Sequence, residues 1–128
     1  MEKTGLLERC IGRFPLEETT AGIGVVHGLS LLLSQVVSNV PFTILMLPAM
    51  KAASSDVLWL SLASASTLAG NATVIGAMAN LIVLESAESQ GVKIGFRLFF
   101  RVGIIVTLVT LLLSFFIIMA QHRAGLFR

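Results

Sequence analysis

Two clusters of small polar residues carry most of the chemistry this chain could perform. Ser38, Asn39 and Val40 form one, and Thr67, Gly70, Asn71, Ala72 and Thr73 form the other, with Asn80 following on. Both clusters interrupt apolar sequence at points where a membrane helix would have to stop and restart. Irregular backbone at membrane depth survives only where protein buries it or where it lines a cavity. Paired interruptions of this kind point to an ion or substrate site. Free N–H groups at a half-helix start favour anions, and carbonyls at a half-helix end favour cations. Ser38, Asn39, Asn71 and Thr73 offer neutral oxygens that could ligate Na⁺ as a coupling ion, and no cofactor is expected. Backbone N–H groups could then hold an anionic substrate without a buried charge, whose cost in a membrane is high.

Enzyme chemistry is not expected. His27 and His122 are far apart, no metalloprotease, nucleophile-elbow or phosphate-loop motif occurs, and the apolar stretches hold no Asp or Glu in their interiors. The single cysteine, Cys10, excludes an intrachain disulfide. His27 reads first as a hydrogen-bonded helix histidine and second as a proton relay. Gly24 and Gly28 have the GxxxG spacing that permits close helix approach.

The elements that must position these clusters belong to a membrane protein. Of the 128 residues 55% are hydrophobic and 12% charged, about half the charge of a soluble domain. Mean hydropathy is +0.92. The basic residues sit at segment ends, where they read as membrane-flank anchors, and they form no stripe suited to nucleic acid. The lipid bilayer is the first partner expected. No secretory leader is read at the amino terminus, where Glu2, Glu8, Glu17 and Glu18 mix with basic residues.

Residues 1–21 read as an amphipathic interfacial segment, with Leu6, Leu7, Cys10, Ile11 and Phe14 at helical spacing. Residues 22–51 are either one crossing helix kinked at Pro41 or, the preferred reading, a re-entrant hairpin turning at residues 38–40. Pro41 suits the first turn of the restarted helix, with Ser38 or Asn39 as its cap. Residues 57–85 read as a broken helix, with halves at about 57–66 and 73–84. Residues 86–101 read as an interfacial connector helix in which Lys93, Arg97 and Arg101 repeat every four residues beside Phe96, Phe99 and Phe100. Residues 102–120 are a plain transmembrane helix, and 121–128 a basic tail. The fold class expected is an all-α membrane protein.

Two stretches resemble the ion transporter superfamily, which includes arsenite-efflux, citrate, sodium–dicarboxylate and NhaD-type carriers. Ser38-Asn39-Val40-Pro41 with the following Phe42-Thr43-Ile44-Leu45-Met46-Leu47-Pro48 is similar to a signature hairpin of that group. The run from Leu68-Ala69-Gly70-Asn71-Ala72-Thr73 to Val74-Ile75-Gly76-Ala77-Met78-Ala79-Asn80 resembles the unwound segment of its arsenite-permease-like branch. The hairpin reads Ser-Asn-Val where dicarboxylate carriers usually have Ser-Asn-Thr, and Ala69 replaces a frequent glycine.

The resemblance implies the carboxyl-terminal repeat of a two-repeat secondary transporter in the plasma or inner membrane. Ser38 and Asn39 would lie at the hairpin tip, and residues 70–73 would form the broken-helix loop. Asn80 would match the family's asparagine on the following half-helix. Partners implied are a small inorganic or organic ion and a first repeat, separate or fused, or a second copy of the chain. The alternatives are a non-transporting helical membrane subunit and a truncated gene product.

Overall fold

The computed structural model describes residues 16–126, and in them the chain is helical throughout its regular elements: α1 (Thr20–Val37), α2 (Asn39–Ala53), α3 (Asp56–Ala69), a 3-10 turn (Val74–Gly76), α4 (Met78–Ser89) and α5 (Phe96–Arg123). The amphipathic reading of residues 1–15, Cys10 included, lies outside the described residues. Two helices, α1 and α5, are long and apolar enough to cross a membrane, with mean hydropathies of 1.6 and 2.8.

The helices begin and end for local reasons. Thr19 caps α1 by accepting from the Gly22 N–H at 3.1 Å, and Ser55 caps α3 by accepting from Leu58 N–H at 3.3 Å. Between α1 and α2 a single residue, Ser38, carries the break, and Pro41 falls in the first turn of α2, where a missing N–H leaves no intrahelical bond unmade. Ser54 closes α2 in the left-handed region, at φ 48°, and donates its N–H to the Met50 carbonyl.

Three pairings fix the hairpin's direction. Gln35 of α1 reaches the Ala69 carbonyl at the end of α3, and Thr43 of α2 reaches Ser66. At the other end Ile23 and Val26 of α1, Met46 and Met50 of α2, and Val57, Leu58 and Leu62 of α3 share one buried cluster. So α1 runs parallel to α3 and α2 antiparallel to both. The chain doubles back at Ser38 and is not one kinked helix. Small residues let the helices approach closely. The buried face of α1 includes Ser30 and Ser34, and that of α3 includes Ser61, Ala65, Ser66 and Ala69. Ser34 and Ser61 return their hydroxyls to the carbonyls of Ser30 and Val57 on their own helices.

The structure moves three boundaries of the sequence reading. The first half of the broken helix runs on to Ala69, because Ser66 and Thr67 donate back to the Ala63 carbonyl and so fit inside the helix. The second half starts at Met78, not at residue 73. Thr73 instead caps the 3-10 turn, accepting from Gly76 N–H at 3.0 Å, and Ala77 is extended. The separate connector helix is not formed. Helix α4 continues to Ser89 and ends in a Schellman motif, with Gly91 at φ 81° and Val92 N–H on the Ala87 carbonyl. Arg97 and Arg101 then ride the opening turns of the 28-residue α5.

Helix α5 packs back on the others through one stripe, Gly103, Thr107, Leu111 and Ile118. Gly24 leaves room for Phe115, 3.7 Å from where a Cβ would sit, whereas nothing approaches Gly28. Buried His27 is set between helices by its Nδ1 on the Ile23 carbonyl (2.9 Å), its Nε2 beside Ser114 Oγ (3.2 Å) and an edge contact with Phe115. A carbonyl can only accept, so Nδ1 carries the proton and the local histidine reading holds.

Candidate functional site

The two breaks meet. Ser38 at the hairpin tip donates its hydroxyl to the Gly76 carbonyl at 3.3 Å, across 38 residues of sequence. Its own backbone has φ 67° and ψ 161°, a region that is essentially glycine's alone and that costs about 1–3 kcal/mol for other residues. The strain permits a one-residue reversal and brings the start of α2 beside the end of α3.

Asn39 bends its side chain back, Oδ1 accepting from Val40 N–H at 2.9 Å, and its carbonyl accepts from Thr43 Oγ1 at 2.9 Å. Asn39, Val40, Thr43 and Ile44 of α2 and Ser66 and Thr67 of α3 line an open cavity of about 210 Å³. Its polar lining consists of hydroxyls and one amide, with no ionised side chain. That donor set suits a small ion held through oxygens.

The broken-helix loop, residues 70–77, is held by side chains from three other helices. Gln35 of α1 donates Nε2 to the Ala69 carbonyl (2.7 Å) and accepts from Thr73 Oγ1 (2.9 Å). Asn80 of α4 donates Nδ2 to the Gly70 and Thr73 carbonyls, both at 2.9 Å. Thr107 of α5 donates to the Leu68 carbonyl at 3.4 Å. Backbone N–H groups of the turn take the Ser66, Leu68 and Ala69 carbonyls, and Gln35 and Thr107 add second bonds at Ala69 and Leu68, while Asn80 holds the loop carbonyls of Gly70 and Thr73. Glycine is required where the loop is tightest. A Cβ at Gly76 would lie 2.7 Å from the Gly70 carbonyl oxygen, and one at Gly103 would lie 2.5 Å from that of Asn71.

The residues picked from sequence therefore divide into three groups. Ser38, Gly70, Thr73 and Asn80 belong to one hydrogen-bonded assembly. Asn39, Val40 and Thr67 line the cavity at the hairpin tip. Asn71 faces another, largely apolar cavity of about 430 Å³, with Ile94, Leu98, Phe99, Val102, Gly103 and Val106. Buried Ala72 packs where α5 crosses the loop. Asn39 and Asn71 line different cavities, whereas Ser38 and Thr73 both bond to Gly76. Gln35, Thr43, Ser66 and Thr107 complete the region. Gln35 could have been found as the lone long amide of its apolar arm, three residues before Ser38.

The chain was compared with known proteins on this footing. A family model described as arsenical pump membrane protein matches residues 12–120. A 46 kDa membrane protein of Mycobacterium leprae is 36% identical over 95 residues, 68% of this chain and 22% of that protein. An uncharacterized transporter of Mycobacterium tuberculosis is 32% identical over 124 residues, 88% of this chain and 29% of its own length. The P protein of Homo sapiens is 36% identical over 111 residues, 80% of this chain and 13% of that protein. The chain thus spans less than a third of each of these relatives. No solved structure matches it.

Proposed function

Because this chain belongs to the arsenical pump membrane protein family, a group of membrane transporters, we propose that it is the carboxyl-terminal repeat of a secondary transporter. It carries a small inorganic or organic ion across the plasma or inner membrane by alternating access. The observation that carries this reading is the contact of the two helix breaks, Ser38 against Gly76, beside a cavity lined by neutral oxygens.

The reversal at Ser38, which returns α2 antiparallel to α1 on the same face of α3, supports a re-entrant hairpin. Asn39, Thr43, Ser66 and Thr67 then hold the ion, with Na⁺ as the coupling ion. The loop carrying Gly70, Asn71, Ala72 and Thr73 is the part that rearranges, bringing Asn71 towards the site. A first repeat, separate or fused, or a second copy covers the exposed faces of α2 and α4.

The test is uptake of labelled arsenite and citrate into vesicles carrying the assembled protein, with and without a Na⁺ gradient. Asn39→Ala and Asn71→Ala are each expected to abolish uptake while inserting normally. Undiminished uptake in both variants rejects the reading.

A further inference from the structure

We propose that Gln35 is a positioning residue that latches the hairpin tip to the broken-helix loop, so that the two breaks move as one body. Its consequence for transport rests on the reading above; the contact itself does not. The orientation of the amide is fixed by chemistry. The Ala69 carbonyl can only accept, so Nε2 faces it at 2.7 Å and Oε1 is left to accept from Thr73 at 2.9 Å. The second Nε2 hydrogen goes to Ser34 Oγ at 3.2 Å. Thr73 Oγ1 accepts in turn from Gly76 N–H, and the Gly76 carbonyl accepts from Ser38, three residues beyond Gln35. The circuit is closed: Gln35, Thr73, Gly76, Ser38 and back along the chain. Space around it is tight, because Gln35 Oε1 lies 2.9 Å from where a Cβ at Gly76 would be. Removing the amide opens the circuit while leaving the Ala72 N–H on the Ala69 carbonyl, so α3 keeps its end.

Hydrogen exchange of the full chain in lipid nanodiscs tests the latch, reading residues 36–42 and 70–77 together. Gln35→Ala and Thr73→Ala are each expected to speed exchange in both regions on the order of tenfold, the effect of losing about one net hydrogen bond. The double variant should go no further than either single one. Gln35→Glu supplies a readout that simple packing would not move. Once ionised, its carboxylate cannot donate to Ala69 and exchange is fast. As pH falls through the titration of that carboxyl, the protonated acid offers the same donor and acceptor as the amide. Protection should then return to the wild-type level measured at the same pH. Additive effects, a tip unchanged when the loop loosens, or wild-type exchange of Gln35→Glu at every pH up to strongly alkaline would overturn the proposal. If Gln35→Ala also loosens residues 105–118, and so unfolds the bundle, the Gln35→Glu series decides. Uptake by the unmodified carrier is unaffected by any of these results, so failure here leaves the transport reading to its own test.

Discussion

Ser38 combines backbone strain with a long-range hydrogen bond, and substitution separates the two. Ser38→Gly relieves about 1–3 kcal/mol of strain and loses a bond of about 0.5–1.5 kcal/mol, so thermal unfolding in detergent should shift little or upwards. Ser38→Ala keeps the strain and loses the bond, and should unfold earlier. Gly103→Ala forces a Cβ against the Asn71 and Ala72 carbonyl oxygens, at 2.5 and 3.0 Å, and should cost about 1–3 kcal/mol in the same measurement. At this scale the sequence displayed Ser38, Asn39, Asn71 and Asn80 openly, since a polar residue in an apolar run is conspicuous. It did not display Gln35 as a partner of Thr73, because 38 residues separate them and only the packing of α1 parallel to α3 joins them.

Among the elements, the breaks were legible and their limits were not. Thr67 to Ala69 read as part of the unwound stretch, yet the hydroxyls of Ser66 and Thr67 found the Ala63 carbonyl and the helix ran on to Ala69. The connector read as its own helix from the basic spacing of Lys93, Arg97 and Arg101. That periodicity is real, and it belongs to the opening of α5 and the irregular segment before it. Gly91 and Gly95 make a controlled comparison at this junction. Gly91 has φ 81° and completes the end of α4, whereas Gly95 has φ −69° and nothing within 4 Å of a Cβ. Gly91→Ala should cost about 1–2 kcal/mol through the left-handed backbone, and Gly95→Ala less, about 0.5 kcal/mol, for a poorer N-cap of α5. Melting of the two variants side by side checks the difference.

The whole molecule leaves much apolar surface open. Helix α4 buries none of its residues, and Met78, Ile82 and Val83 are each more than 60% exposed. Leu112, Leu113, Phe116 and Ile117 of α5 are exposed as well. Such surface suits lipid and further protein segments. The packing also sorts the chain ends. Ile118 of α5 joins Ile23, Met50 and Val57 in one cluster, so residues near Thr19, Ser54 and Ala124 lie towards one end and Gln90 towards the other. In sealed vesicles, with Cys10 replaced by serine, cysteines at positions 19, 54 and 124 should label from one side and a cysteine at 90 from the opposite side. Labelling of positions 19 and 54 from opposite sides would make residues 20–53 a crossing, and would end the re-entrant reading.

The sequence by itself determined that this is a helical membrane protein with two polar breaks, because hydropathy and the interruption of an apolar run are local properties. Its motifs also carried the family, since Ser-Asn-Val-Pro and the Gly-Asn run are contiguous. The tertiary structure decided which oxygens meet. It placed Asn39 and Asn71 in different cavities, joined Ser38 to Gly76, and put the Gln35 amide between the Ala69 carbonyl and the Thr73 hydroxyl. The physical reason is that a carbonyl at a broken helix end has a second lone pair free for whatever donor the neighbouring helices bring within reach. That depends on helix direction and packing distance, which no stretch of sequence states alone.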